Sequence, residues 1–161
     1  MTVDAKTLRK AMRAWATGVT IVTAAHDGSQ HGMTVSSFTS LSLEPPLVLV
    51  SLEGDTRTHA LVQASEHFAV TVLSGDQQDA SNRFANSRTD AEYRFADLAT
   101  HTMTSGAPLL SNGLAFFDCK VINKYQAGTH TVFIGEVLAA ESADAIGAPL
   151  LYFNQGYQEL K

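Results

Sequence analysis

The sequence predicts a mainly β fold, a mostly antiparallel barrel with a helix at its start and short helices between its strands. About six or seven segments are rich in β-branched or alternating apolar residues, and hairpin connections dominate between them. Helical patterns do not alternate regularly with these segments, which disfavours a doubly wound parallel sheet. A chain of 161 residues that is 45% hydrophobic and 17% charged fits a single domain over residues 1–161.

The first element is an amphipathic helix over residues 4–16, which we expect to pack on the core. Asp4 is a candidate N-cap. Apolar side chains follow at helical spacing, at Leu8, Met12 and Trp15.

A hairpin is predicted next, over residues 19–26 and 31–38. Both segments have an extended pattern, and the Asp-Gly pair between them is typical of a turn. Residues 47–52 are apolar on both faces, as in a central strand. Residues 56–64 suit a short helix.

The second half of the chain completes the sheet. Alternation over residues 67–73 predicts a strand with one face inward. The remaining predicted elements are short helices over 77–86 and 90–94, long paired strands over 114–125 and 130–140, and a final strand over 150–153. Within 114–125, Cys119 lies on the expected inward face as a packed thiol, and Asp118 on the opposite face. Gly135, inside a strand pattern, predicts a bulge or a close approach.

Composition narrows the function. The 11 basic and 16 acidic residues give a net charge of −5, which disfavours nonspecific nucleic-acid binding. A single cysteine excludes an intramolecular disulfide and a multi-cysteine metal site. No apolar run approaches the roughly 18 residues of a membrane span, and the N-terminus lacks the apolar stretch of a secretion signal. We therefore expect a cytoplasmic protein.

Familiar catalytic motifs are missing from the sequence. It holds no G-x-G-x-x-G fingerprint, phosphate loop, H-E-x-x-H motif or G-x-S-x-G elbow. Six histidines are scattered without metal-ligand spacing, so no metal site is predicted. If the protein is catalytic, we expect a bound cofactor to carry the difficult chemistry.

Four segments carry candidate binding chemistry. Residues 32–38 place small hydroxylated side chains along a strand, where a flat ligand can approach the backbone, although such a strand is more often a solvated edge. Residues 51–58 enter a helix with threonines and an arginine that suit a phosphate, and simple helix capping explains them equally well. Residues 78–85 and 128–130 add an arginine, a phenylalanine and a histidine, each of which is also an ordinary surface or core residue.

Taken together and in this order, these segments resemble the flavin reductase-like family. These are split-barrel flavoproteins that include the reductase components of two-component flavin-dependent monooxygenases. The resemblance extends from about Leu8 to Tyr157. The matching segments are 16–23, 32–52, 68–85, 128–137 and 149–157. It implies a Greek-key-like split β-barrel of the FMN-binding type, assembled as a homodimer.

The resemblance also implies an activity, an NAD(P)H:flavin oxidoreductase. Such an enzyme transfers hydride from NADH or NADPH to FMN or FAD and supplies reduced flavin to a partner monooxygenase. The chain departs from the family pattern at Thr129, where an acidic residue is common, so the choice between NADH and NADPH stays open.

Matched position by position, the resemblance implies a set of cofactor-binding residues. Those along the isoalloxazine are Met33, Thr34, Val35, Ser36 and Ser37, continued by Ser51 and Leu52. Those at the flavin phosphate are Thr56, Arg57 and Thr58. Those on the ribityl or phosphate side are Arg83 and Phe84. His130, implied as catalytic, matches a histidine beside the nicotinamide, and Tyr157 approaches the same cleft.

Three alternatives stay open at this point. The first is a non-catalytic flavin carrier or an electron-transfer flavoprotein on the same barrel. The second is a split barrel that uses bound FMN to oxidise pyridoxine-type phosphates or to reduce other small molecules. The third is a binding module without a cofactor. A preparation that lacked flavin absorbance would favour the third.

Overall fold

Strands dominate the computed structural model, which describes residues 1–160. The helices are α1 Ala5–Met12, α2 Arg57–Ser65, α3 Gln78–Ala85 and α4 Ala91–Phe95. The strands are β1 Thr17–Gly18, β2 Thr20–His26, β3 Ser29–Val35, β4 Thr39–Leu43, β5 Pro46–Glu53, β6 His67–Val72, β7 Thr100–Thr102, β8 Pro108–Leu110, β9 Ala115–Ala127, β10 His130–Ser142, β11 Leu151–Phe153 and β12 Gly156–Gln158. Within the described residues, no helix is long and apolar enough to cross a membrane.

The main sheet has seven strands in the order β3-β2-β6-β9-β10-β5-β4. Each neighbouring pair is antiparallel, so the predicted mainly β, mostly antiparallel class is confirmed. Hairpins join β2 to β3, β4 to β5 and β9 to β10, and β6 lies between β2 and β9. Strands β3 and β4 form the two edges. Ser37 Oγ, just beyond β3, donates to Ser51 O of β5 at 2.8 Å, so the two ends of the sheet approach each other.

Two small sheets complete the fold, one of β1, β11 and β12 and one of β7 and β8. The β7–β8 pair covers the outer face of β6, where Thr71 Oγ1 accepts from Leu110 N at 3.1 Å. Residues 68–71 are therefore all buried, and the predicted single inward face of β6 is wrong. Asp118, expected on the outer face of β9, is fully buried for the same reason and accepts from Ser105 N at 2.7 Å.

The N-terminal helix begins as predicted but does not pack on the core. Asp4 Oδ1 caps α1 by accepting from Thr7 N at 2.6 Å. None of the residues of α1 is buried, and Leu8, Met12 and Trp15 are 54%, 53% and 66% exposed. The expectation of core packing is therefore wrong, and the apolar stripe of the helix faces outward from this chain.

A close approach between strands occurs at Gly135, as its place in the β10 sequence predicts. The register between β10 and β9 shifts between Ile134 and Gly135. A Cβ atom at Gly135 would lie 2.6 Å from Phe68 Cζ and 2.9 Å from Cys119 Cβ, and both of these neighbours are fully buried. Burial also raises the pKa of the Cys119 thiol to about 12, so the packed thiol stays protonated.

We expect Gly135→Ala to destabilise the fold, because the added methyl group displaces a buried ring in a close-packed core. The expected loss of unfolding free energy is about 1–3 kcal/mol. Urea denaturation of the purified variant measures it. Gly18→Ala is the matched control, because a Cβ there meets no atom within 4 Å. Equal stabilities of the two variants would contradict the close approach.

Candidate functional site

A continuous cleft follows the edge strand β3. One cavity of about 460 Å³ and another of about 430 Å³ share Thr34 and Ala85 in their walls. A third of about 590 Å³ joins the second at Ser36 and extends to Trp15. The cleft is therefore long and narrow, with the start of α2 at one end and the end of α1 at the other.

The wall of the cleft along β3 is made of small polar side chains that are held in place. Thr34 Oγ1 donates to Ser81 O of α3 at 2.6 Å. The Ser37 hydroxyl donates to Ser51 O and accepts from Ser51 N at 3.1 Å. Val35, in contrast, is 4% exposed and belongs to the core. Because successive side chains point to opposite faces, Thr34 and Ser36 face the cleft and Val35 faces the core.

The start of α2 closes one end of the cleft. Thr56 is the N-cap, and its Oγ1 accepts from His59 N at 3.3 Å while donating to Glu53 O at 2.8 Å. Arg57 is the first helical residue and is exposed in the cleft wall. The unpaired N–H groups of this helix turn favour an anion. Thr58 is fully buried and does not line the cleft.

His31 and Arg94 line this end of the cleft, and the sequence did not point to either. His31 is buried, and its Nδ1 lies 2.8 Å from Thr58 Oγ1. Burial, together with the positive charges of Arg94 and Arg57, lowers the pKa of His31 to about 4. Arg94 is 3% exposed and donates from Nη1 to Phe84 O at 2.7 Å and from Nη2 to Asn86 O at 2.6 Å.

The opposite wall comes from α3 and the C-terminal strands. Tyr157 OH lies 2.8 Å from Ser81 Oγ and donates to Asn82 Oδ1 at 3.1 Å, which fixes the phenol in the cleft. Phe84 is 1% exposed and contributes to the cleft wall. Arg83 donates to Ala96 O at 2.7 Å and does not line the cleft.

His130 lies outside the cleft in this chain. It opens β10 opposite Glu53 of β5, and its Nδ1 is 3.0 Å from Thr129 Oγ1. Glu53 lines the cleft and His130 does not. Leu52 is fully buried in the core, so only its backbone can face a ligand.

The structure therefore divides the predicted residues into two groups. Those that line the cleft are Met33, Thr34, Ser36, Ser37, Thr56, Arg57, Phe84 and Tyr157. Those that stand behind or beside it are Val35, Ser51, Leu52, Thr58, Arg83 and His130. The lining provides small hydroxyl groups along its length and cationic donors at one end. This arrangement suits a flat ligand that carries a phosphate.

Comparison with known proteins gives a family match over most of the chain. Residues 12–161 match the profile described as a flavin reductase like domain. The reductase component of a 4-nitrophenol 4-monooxygenase/4-nitrocatechol 2-monooxygenase from Rhodococcus opacus is 40% identical over 150 residues, 93% of this chain and 78% of that protein. An FMN reductase (NADH) from Agrobacterium fabrum is 41% identical over 150 residues, 92% of this chain and 82% of that protein.

Solved structures show the same fold. The NADH:FAD oxidoreductase of Streptomyces globisporus C-1027, determined in complex with NAD and FAD fragments, superimposes with a TM-score of 0.90. It is 34% identical, and the alignment covers 100% of this chain and 97% of the other.

We expect the ligand-free protein to lose stability as the pH falls from 6.5 toward 4, because unfolding frees His31 to bind a proton that the folded chain disfavours. The contribution of His31 is on the order of 2 to 3 kcal/mol and is fully present above its unfolded pKa. We measure this contribution by urea denaturation of the wild type and of His31→Gln, in phosphate-free buffers at several pH values. The difference between the two pH profiles gives the contribution of His31 to the free energy of unfolding. Parallel pH profiles for the two proteins would contradict it.

Proposed function

This chain belongs to the flavin reductase like domain family, and from that membership we propose that it transfers hydride from NADH to FMN or FAD and supplies the reduced flavin to a partner monooxygenase. The family resemblance and the oxidoreductase class that the sequence predicts are confirmed. The observation that carries the proposal is the cleft along β3, with its hydroxyl-lined wall and cationic end. Residues 1–161 act as one domain in this proposal, and Lys161 lies outside the described residues.

The cationic end of the cleft holds the flavin phosphate. Arg57 offers a guanidinium fork, and Thr56 caps the helix whose first N–H groups face the same space. Thr58 contributes indirectly, because its hydroxyl positions His31. In this proposal Thr56, Arg57 and Thr58 of the segment act around one anion, together with His31 of β3.

The wall along β3 holds the ring system. Met33, Thr34, Ser36 and Ser37 line the cleft at that strand or just beyond it. The hydrogen bonds of Thr34 to α3 and of Ser37 to β5 keep the wall rigid before a ligand arrives. Val35, Ser51 and Leu52 take part through the backbone, with their side chains turned away or already bonded. A bound flavin supplies the hydride acceptor, so the chain needs no nucleophile of its own.

The remaining residues shape the two sides of the ring. Tyr157 and Phe84 flank the cleft, while Arg83 supports α3 through its hydrogen bond to Ala96 O. His130 positions the nicotinamide from the β9–β10 hairpin, next to Glu53 at the cleft rim. Orientation of the two rings is the main catalytic contribution of the protein.

The exposed face of α1 supports a homodimer. Leu8, Met12 and Trp15 form an apolar stripe that no part of this chain covers among residues 1–160. We propose that a second copy covers it, and Trp15 at the end of the cleft then brings the partner close to the site. A cytoplasmic location and a transient contact with the monooxygenase complete the proposal.

One observation favours a second candidate, a non-catalytic flavin carrier with the same fold. His130 stands outside the cleft of a single chain, so nicotinamide positioning by this residue depends on ligand binding or on the partner subunit. A carrier would keep the phosphate end and would not oxidise NADH.

A steady-state assay that crosses NADH and NADPH with FMN, FAD and riboflavin in air tests the function. We expect NADH oxidation that requires added flavin. Stopped-flow measurements on variants then test the site. Arg57→Gln should raise the flavin Kd about tenfold by removing a charged donor, whereas His130→Ala should slow flavin reduction and leave the Kd unchanged.

The control for Arg57 is Arg88→Gln, which removes the same charge from an exposed side chain that does not line the cleft. Flavin binding without NADH oxidation would support the carrier instead. Wild-type behaviour of both Arg57→Gln and His130→Ala would show that the proposed residue roles are wrong.

Replacing an apolar residue of the exposed stripe formed by Leu8, Met12 and Trp15 by a charge should break the proposed dimer. We expect Trp15→Glu to shift the molar mass measured by light scattering from twice the chain mass to the chain mass. Ile146→Glu, at an apolar position that is 79% exposed and outside this stripe, is the matched control. A wild-type protein that is monomeric at micromolar concentration would contradict the dimer.

A further inference from the structure

We propose that His59 is a positioning residue for the hydride transfer, because it ties the β9–β10 turn that leads into His130 to the start of α2. The inference rests on the proposed function and deepens it, since it adds a residue that acts on the nicotinamide side of the site through His130. Its basis is a directed chain of hydrogen bonds between the helix and the turn.

The β9–β10 hairpin projects beyond the rest of the main sheet. Strand β6 pairs with β9 no further than Lys120, and Val121 N donates to Glu66 O at 2.8 Å. Among the described residues, β10 is the one strand that pairs with β9 beyond that point, and residues 122–127 are all exposed. The position of the turn therefore depends on β5, which pairs with β10, and on side chains that reach the turn from elsewhere.

Two side chains of α2 reach this projecting end. His59 and Gln63 are four residues apart and so lie on the same face of the helix. Gln63 Oε1 accepts from Lys124 Nζ at 2.7 Å, but this pair is exposed. His59 Nε2 lies 2.8 Å from Thr131 Oγ1, and Thr131 is only 3% exposed. The His59 ring also packs against Phe133, with the ring centroids 5.4 Å apart. A hydrogen bond shielded from water is the stronger constraint, so His59 is the main link.

The direction of the hydrogen bonds follows from the turn itself. Gln126 Nε2 donates to Gly128 O at 2.8 Å, so the atom that lies 3.2 Å from Thr131 Oγ1 is the amide oxygen of Gln126. An amide oxygen only accepts, so the Thr131 hydroxyl gives its one proton to Gln126 and accepts from His59. The proton of the His59 ring is therefore on Nε2. The bonds run from α2 through Thr131 into the turn and end at Gly128, two residues before His130.

The charge state of His59 agrees with this direction. Burial lowers its pKa, the positive charge of Lys124 acts in the same sense, and the negative charge of Asp55 opposes them. The ring is therefore neutral near pH 7, and its single N–H is the one that Thr131 accepts.

Helix α2 is bonded to both sides of the site by consecutive residues. The hydroxyl of Thr58 lies 2.8 Å from His31 Nδ1 of β3, and His59 bonds to Thr131 of β10. The separation between the cleft wall at β3 and His130 therefore depends on these two links. Loss of the His59 link should misplace His130 without removing a side chain that lines the cleft, and a small misplacement of a reacting group slows the reaction strongly.

Stopped-flow flavin reduction and equilibrium flavin binding together test this role. His59→Phe keeps a ring against Phe133 and removes the donor, and Thr131→Val removes the acceptor. We expect each variant to reduce flavin about tenfold more slowly at saturating NADH, with a flavin Kd that changes by less than about twofold. The double variant should be about as slow as either single variant, because both break the same link. His59→Gln, whose amide nitrogen can replace Nε2 as donor, should recover most of the rate.

The matched control is His67→Phe. His67 is also half-buried and bonded through a ring nitrogen, its Nδ1 lying 2.8 Å from Ser65 O, but it begins β6 and does not line the cleft. This variant should reduce flavin at the wild-type rate. Wild-type rates in both His59→Phe and Thr131→Val would overturn the inference. A flavin Kd that rises as much as the rate falls would also overturn it, since His59 would then support only the flavin-binding end of α2.

Two structural measurements do not depend on activity. Nitrogen chemical shifts of the His59 ring in the wild type report which ring nitrogen carries the proton, and we expect Nε2. Hydrogen–deuterium exchange in residues 126–130 should be faster in His59→Phe than in the wild type and unchanged in His67→Phe. Equal exchange in all three proteins would overturn the inference. A proton on Nδ1 would overturn it even if the variants failed to fold.

These measurements separate the inference from the proposed function. If the wild type does not oxidise NADH, the reductase function is wrong, and the exchange measurement still decides whether His59 holds the turn. If the wild type reduces flavin and neither His59→Phe nor Thr131→Val is slower, the role of His59 is wrong and the function stands.

Discussion

The site depends on one constraint, that β3 pairs with a strand on one side only. Side chains on β3 or just beyond it tie three separate segments to this strand: Thr34 to α3, Ser37 to β5 and His31 to α2. An edge strand left bare would invite pairing with another chain. Here the cleft follows this edge strand, and the elements tied to β3 also supply the other walls of the cleft.

The positive end of the cleft is not apparent from the net charge of the chain. The chain carries a net charge of −5, yet two guanidinium groups and a helix N-terminus meet at one end of the cleft. Burial, together with the charges of Arg94 and Arg57, lowers the pKa of His31, so that His31 adds no third positive charge to the free site near neutral pH. A ligand anion opposes the field of these charges, and ligand binding and the protonation of His31 are therefore favourable to each other.

Elements with a strong local signal were predictable from the sequence. The β2–β3 hairpin follows from its Asp-Gly turn, and α2 from its capped start. A strand as short as β7 has no alternation of polar and apolar residues to reveal it, because its three residues are extended only through pairing with β8. The same holds for the site. Cleft residues in the segments that carry the family resemblance could be predicted from the sequence. Arg94 could not, because it reaches the cleft only when its helix packs against α3, and no local sequence pattern encodes that packing.

The exposed stripe of α1 has a consequence for how the protein holds its ligand. The wall shared by Trp15, Thr17 and Ser36 is continuous with the cleft, and α1 runs directly into it. In the proposed dimer, the partner subunit packs against this wall, and flavin binds to the same wall. Subunit association and flavin binding are therefore linked by mass action. Dilution then acts as a release mechanism: flavin affinity falls as subunits separate, and crowded and dilute preparations of the same chain differ in how much flavin they retain.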